Sequence, residues 1–238
     1  MNKMENSLER INPQIISHTD KDTLKIHLDR YKYAGLHLAP GHIADIACGV
    51  GYGSYLLATD FGEKIQSIKA VDSDPGSIEI AKATYNHSKI NYEISDALNF
   101  QSQNLFNTII SLETIEHLQN PGDFIRHIST HLLQKGRFIA SVPITPSMDA
   151  NPFHLTDFTK KTFRSLFEKA GFKELHSCIQ KQPYDPGTIA NKKTVRKGLR
   201  KNLPLYYAKN PSKFFARLKS LWKDGFCNKY LVCVFEKI

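Results

Sequence analysis

His42-Ile-Ala-Asp-Ile-Ala-Cys-Gly-Val-Gly-Tyr-Gly-Ser54 is the stretch on which the reading of this 238-residue chain turns. Ile43, Ala44, Ile46 and Ala47 form a short apolar run interrupted by one acid, Asp45. Glycines follow at alternate positions, Gly49, Gly51 and Gly53, and then the apolar segment Tyr55–Ala58 with helical character. The order is strand, glycine turn, helix. A glycine turn of this kind lets backbone N–H groups approach a bound nucleotide closely, because glycine has no Cβ and tolerates positive φ. Such turns mark nucleotide sites in doubly wound sheets, but they also occur as plain tight turns.

Working outward, three further segments agree with a nucleotide site. Ile68-Lys-Ala-Val-Asp72 reads as a second strand ending in an acid, about 20 residues past the turn, where such folds place the carboxylate that meets ribose hydroxyls. A third strand, Ile90–Ile94, runs into Ser95-Asp96-Ala97, and a fourth, Phe106–Leu112, runs into Glu113-Thr-Ile-Glu116-His117. Asp74-Pro75 and Asn120-Pro121 read as N-cap plus first-turn proline, opening helices that run to about Asn86 and to a stop at Gly136. Further strands are expected at 137–142, 172–179 and 230–235, with a helix from Thr159 to Gly171. The alternation of strands and helices argues an α/β, Rossmann-like, doubly wound and mainly parallel sheet of seven strands.

Taken in order, DIACGVGYGS, VDSDPGSIEIAK, SDALNF, FNTIISLETIEHL and GRFIASVP resemble the motif series of class I S-adenosylmethionine-dependent methyltransferases, over roughly residues 40 to 180. The subgroup most resembled methylates small molecules, quinone precursors and glycans. The resemblance implies that Asp45 with Gly49, Gly51 and Gly53 holds the methionine end of the cofactor. It implies that Asp72, followed by Ser73, takes the ribose, and that Asp96 with Ala97 takes the adenine. The segment HLDRYKYAG resembles a helix of glycan-type members, in which Arg30 would pair with the cofactor carboxylate or else be a solvated charge. NPFHLTDFT, with His154, resembles a loop over the acceptor site in the same members.

Candidate chemistry follows from what methyl transfer needs. The sulfonium is already activated, so the protein must orient an acceptor and remove a proton, for which histidine is suited. Of ten histidines, His117 and His154 stand out. Glu113 lies four residues before His117, so on a helical turn the two share a face as base and orienter. Glu113, Glu116 and His117 could alternatively hold a divalent metal, which is not the favoured reading. Asp157 would orient His154 or cap the next helix.

Composition bounds the rest. A 41% apolar fraction is ordinary for a globular domain, there is no run of 18 apolar residues, and the first residues lack the apolar core of a secretion signal. Cys48, Cys178, Cys227 and Cys233 show no CxxC spacing, so they read as reduced thiols in a cytoplasmic protein. Residues 1–40 read as a polar lead and a helical cap over Lys21–Leu38; residues 41–180 and 227–238 form the nucleotide-binding domain, and residues 181–226 are an insertion. That insertion holds 12 Lys or Arg against two acids, so it carries the whole positive excess of a chain whose net charge is +9. Within it, Phe214, Phe215, Leu218, Leu221 and Trp222 form one helical stripe with Lys213, Lys219 and Lys223 off it.

The stripe is expected to pack on the protein as a lid, with a membrane surface as the alternative and nucleic acid as the third, lacking any RNA-binding motif. The resulting expectation is an O-methyltransferase acting on a sugar hydroxyl in surface-glycan biosynthesis. Its acceptor would be a small molecule or glycan, with a lipid-linked form met at the inner membrane face as the alternative to a free one. The rivals are a methyltransferase of quinone precursors or other small molecules, a nucleic-acid-binding protein or RNA methyltransferase, and a nicotinamide oxidoreductase. The last is disfavoured because Ser54 meets the third small-residue position of G-x-G-x-x-G poorly.

Overall fold

A computed structural model describes residues 21–184, 200 and 202–238. The elements are α1 (Lys21–Leu36), β1 (Gly41–Ile46), α2 (Tyr52–Asp60), β2 (Ile65–Asp72), α3 (Pro75–Thr84), β3 (Ile90–Ile94) and β4 (Phe106–Leu112). They continue as α4 (Pro121–Ser129), β5 (Leu132–Pro143), α5 (Lys160–Lys169), β6 (Phe172–Pro183), α6 (Leu203–Lys209), α7 (Pro211–Asp224) and β7 (Cys227–Lys237). The seven strands form one sheet in the order β3-β2-β1-β4-β5-β7-β6. Only β7 runs antiparallel to its neighbours β5 and β6. This is the Rossmann-like architecture expected from the alternating pattern. Chain order reverses between β1 and β4, and ligands bind outside the carboxyl ends of the strands at such a switch point.

Both faces of the sheet are covered, and each strand serves both by alternation. Phe138, Ala140, Cys233 and Phe235 join Phe124, Ile125 and Ile128 of α4 and Phe163 and Phe167 of α5 in one core. Ile139, Val232 and Val234 join Tyr31 and Ala34 of α1, Leu57 of α2 and Ile78 of α3 in the other. Aromatic rings fill the first core, where Phe167 stacks on Phe235 at 3.9 Å. Asp74 caps α3 by accepting from Ser77 N at 2.8 Å, and Thr159 with Thr162 caps α5 as a reciprocal box.

Several element ends differ from the sequence expectation. Asn120 makes no side-chain cap, α4 closes at Thr130, and Gly136 lies inside β5. Strands β5, β6 and β7 extend beyond the expected ranges because pairing with neighbours continues past the apolar stretches. Residues 1–20 and much of 185–201 fall outside the described residues.

α1 is seated by one close approach. A Cβ on Gly53 would lie 2.0 Å from the Tyr31 ring, so the absence of a side chain there lets α1 lie directly on α2. Gly53→Ala should therefore cost about 1–3 kcal/mol by overpacking, against the roughly 1 kcal/mol that alanine gains over glycine inside a helix. Gly62→Ala, whose nearest neighbour would be the Lys89 Nζ at 3.9 Å, serves as control. Urea denaturation checks this: a Gly53→Ala midpoint equal to or above that of the parent would contradict the seating.

Candidate functional site

A cavity of about 410 Å3 opens at the carboxyl ends of β1, β2 and β4 and under α1. The β1 turn brings Gly49 to its wall with φ 58° and aims its N–H at Asp72 Oδ2, 2.9 Å away. Asp72 also accepts from Asp74 N at 2.9 Å, so its carboxylate is fixed at the mouth of the crevice beside Ser73. Asp96 and Ala97 line the same cavity, with the Asp96 side chain capping the turn 97–99 through Leu98 N at 2.7 Å. Two non-glycine residues hold left-handed backbone there, Ala47 at the end of β1 (φ 64°) and Glu113 at the end of β4 (φ 52°). Backbone of this kind costs about 1–3 kcal/mol and clusters at working sites.

Three of the residues expected on the methionine end are placed elsewhere. Strand alternation puts Asp45 on the same face as Ile43, under α1 and α2, where it is fully buried and does not line the cavity. It accepts from Ser54 Oγ at 2.6 Å and from the Tyr31 hydroxyl at 3.2 Å. Gly51 caps α2 with φ 86° and leaves space for Ala81 and Tyr92, and Gly53 leaves space for Tyr31. Only Gly49 of the three glycines reaches the cavity wall.

Arg30 is not a solvated charge. It is 1% exposed, donates from Nε to Gln180 Oε1 at 2.9 Å, and lies 4.9 Å over the Tyr230 ring. Its Nη1 is 3.4 Å from Glu113 Oε1, but neither terminal nitrogen has a hydrogen-bond partner among the described residues. A buried guanidinium with donors to spare at a cavity wall suits a ligand carboxylate. With Gly49, Asp72 and Asp96, that donor and acceptor set fits S-adenosylmethionine, which carries a carboxylate, ribose hydroxyls and an adenine.

A second cavity of about 160 Å3 adjoins the first, and His27, Glu113 and Asn151 line both. Thr23, Pro143, Pro146, Ser147, His154, Gln182, Arg217 and Tyr230 complete much of its wall. Glu113 is held there by Ser141, which donates from Oγ at 2.8 Å and receives the Glu113 N–H at 3.1 Å. Two imidazoles stand at the junction: His117 lines the larger cavity, His154 the smaller, and their rings meet edge to face at 4.7 Å. His117 Nδ1 lies 3.1 Å from the carbonyl of Phe153, an acceptor to which a protonated Nδ1 donates.

His154 Nδ1 lies 2.7 Å from Ser147 Oγ, which in turn reaches Asp157 Oδ1 at 3.4 Å. Asp157 thus reaches His154 only by way of the Ser147 hydroxyl, and the cap of α5 is Thr159. Burial pushes the Asp157 carboxyl up, but hydrogen bonds from Lys213, Ser147 and Met148 outweigh it and hold the group below the usual range. The loop is fastened to the 115–117 turn by Leu155 and Thr156 N–H groups on the Glu116 carbonyl, at 2.8 and 3.2 Å.

The metal grouping also differs from the spacing argument. Glu116, His117 and His154 offer ligand atoms that all lie within 4.8 Å of one another, whereas Glu113 is turned toward Ser141 and Arg30. One carboxylate and two imidazoles make a donor set that suits a divalent ion. Cys48, Cys178, Cys227 and Cys233 are free thiols in the structure.

His27, Gln182 and Tyr230 were not singled out from sequence. His27 had a usable signal, since it precedes Arg30 and Tyr31 by three and four positions on α1 and so shares their face. Gln182 and Tyr230 reach the site only through the pairing of β6 with β7, where Tyr230 donates to Gln182 Oε1 at 2.9 Å.

Comparisons with known proteins bear on the fold that holds this site. Residues 44–140 match the family model described as "Methyltransferase domain". The matched stretch, less than half of the chain, is similar to a methyltransferase domain. The ubiquinone biosynthesis O-methyltransferase of Rickettsia akari is 31% identical over 136 residues, covering 56% of this chain and 50% of that protein. The chain spans about half the length of the curated relatives it matches. Among solved structures, YcgJ of Bacillus subtilis superposes with a TM-score of 0.65 at 14% identity, covering 90% of this chain and 98% of that one. The N-methyltransferase NodS of Bradyrhizobium japonicum WM9, solved with S-adenosyl-L-homocysteine, gives 0.59 at 12% identity, covering 96% and 94%. These likenesses show the fold.

Asp45 yields a pH test. Burial lifts its carboxyl from 3.8 to about 6, with Ser54 and Tyr31 pulling the other way. A folded value above the unfolded one means that the stabilisation is complete below about pH 4 and is lost as pH rises through about 6. Asp45→Asn removes that titration, so its Tm should vary less than the parent's between about pH 4 and about pH 7. Parallel pH profiles by scanning calorimetry would contradict the placement of Asp45.

Proposed function

We propose that the protein is an S-adenosylmethionine-dependent O-methyltransferase whose acceptor is a small phenol of the kind methylated on the way to quinones. The observation that carries this reading is the pair of cavities joined at Glu113 and Asn151 with an imidazole on either side of the junction. The larger suits the cofactor. The smaller, at about 160 Å3, is of the size that holds one benzene-like ring.

The choice of phenol over sugar rests on proton chemistry and on the relatives. A phenolic hydroxyl ionises near 10, as tyrosine does, while an alcohol lies nearer the 15.7 of water. An imidazole base is far better matched to the phenol. The relatives are named for ubiquinone biosynthesis, which favours the quinone-precursor reading over the surface-glycan one.

The cofactor supplies the methyl group on a sulfonium. The chain's residues do the rest. Arg30 receives the carboxylate, Asp72 the ribose and Asp96 with Ala97 the adenine edge. Glu113, locked by Ser141, and Asn151 define the passage between the two sites. The Nε2 of His117 or His154 accepts the acceptor's proton, His154 being steadied by the Ser147–Asp157 relay. A second reading uses the same side chains: a divalent ion on Glu116, His117 and His154 would lower the hydroxyl's affinity for its proton by Lewis acidity.

Methyl-labelled S-adenosylmethionine supplied with prenylated catechols and, separately, with nucleotide sugars tests the reading. Label is expected on the phenolic oxygen, and His154→Ala is expected to lower turnover by roughly 10²–10⁴-fold with cofactor affinity unchanged. Arg30→Met and Asp72→Ala should each weaken cofactor binding by about 10- to 100-fold in calorimetry, as loss of a charged hydrogen bond does. Label on sugars alone, or binding of NAD in place of the cofactor, would overturn it. Loss of activity to a chelator, restored by a divalent ion, would favour the metal reading.

A further inference from the structure

Helix α7 has its polarity turned outside in. Three of its five charged side chains face the protein: Lys213 pairs with Asp157 at 2.7 Å, Arg217 pairs with Asp149 through two hydrogen bonds of 2.6 and 2.7 Å, and Asp224 pairs with Lys229. Arg217 also donates to the Pro146 carbonyl, and Tyr207 of α6 donates to Asp149 at 2.6 Å. Asp149 is buried, and these partners hold its carboxyl below the usual range despite that burial.

The apolar side chains face out. Trp222 is 92% exposed and Phe215 66%, and Phe226 in the turn to β7 is 51% exposed. Leu218 and Phe214 are also exposed, and only Leu221 of the stripe is half-buried. The expected lid packing is therefore not what the chain adopts, because the ion pairs claim the inward face. Lys219 and Lys223 are exposed along the edge of the stripe, and Lys209 precedes it.

We propose that this face docks on an anionic lipid bilayer. A contiguous aromatic patch of this kind marks a docking surface. Charge decides among the occupants. Lysine is depleted from protein–protein contacts, whereas Trp and Phe flanked by Lys suit the headgroup boundary. The segment 181–226 holds 12 basic residues against two acids. Docking would break none of the ion pairs that seat the helix, since they lie on its other side. Arg217, on that inner side, lines the smaller cavity, so the docked helix would lie against the wall of the acceptor site. A membrane-borne acceptor could then be reached without leaving the surface. The docking itself does not depend on what the acceptor is.

Trp222 is the chain's only tryptophan, so its emission reports this face alone. The whole protein is titrated with vesicles of equal parts phosphatidylcholine and phosphatidylglycerol, and with phosphatidylcholine alone. The expected result is a blue shift and quenching by brominated acyl chains on the anionic vesicles, weakened by added salt. Leu218→Asp should weaken vesicle binding at least about tenfold, with an unchanged Tm, and Lys219→Ala about fivefold. No response to anionic vesicles would overturn the proposal. So would an emission already blue in buffer, a lowered Tm for Leu218→Asp, or tight binding to single-stranded RNA with none to vesicles.

Discussion

Tyr31 occupies the space that a side chain at position 53 would fill, and its hydroxyl donates to the buried carboxylate of Asp45. That contact joins α1, α2 and β1, because Ser54 of α2 donates to the same carboxylate. Everything that α1 brings to the site depends on it. His27 and Arg30 lie four residues and one residue before Tyr31 on the same helix, and both line the cavity at the carboxyl ends of the strands. Without α1 the crevice would lack its buried cation. The motif's acid and two of its three glycines thus pack the elements behind the cavity, while Gly49 and Asp72, joined by a hydrogen bond, lie at its wall.

The fold was legible because its signals are local and periodic. Short apolar runs in β1, β2, β4 and β5, the Asp74 cap and the Thr159 cap each specify an element from a few neighbouring residues. Asp72, Asp96, Glu113 and His117, each picked out near a strand end, all line the cavity, though Glu113, expected as the orienter of His117, is turned toward Ser141 and Arg30. The site was misread where direction mattered. Asp45 is one residue from positions that face the other way, and sequence spacing does not say which face looks into the crevice. The metal grouping failed for the same reason: Glu113 has left-handed backbone that turns it toward Ser141, and His154 arrives from a loop 37 positions after His117. Gln182 and Tyr230 depend on strand pairing that no local pattern encodes.

Helix α7 shows how an amphipathic pattern can be read the wrong way round. An apolar stripe is normally buried, since leaving it in water forfeits roughly 25 cal/mol per Å2. Here Asp149 and Asp157 of the loop after β5 offer carboxylates that Arg217 and Lys213 satisfy, and an unpaired buried charge costs more than an exposed ring. The polar face therefore turns inward. The same loop carries Ser147 and His154, so the helix that leaves its aromatic residues outside also braces the group placed to take a proton.

A crystal structure of the protein with S-adenosyl-L-homocysteine tests the central claim most directly. The account predicts the ligand in the 410 Å3 cavity, its carboxylate on the Arg30 guanidinium and its ribose hydroxyls on Asp72. Its sulfur should point toward Glu113 and the smaller cavity. A ligand bound elsewhere, or in that cavity with its carboxylate away from Arg30, would contradict it.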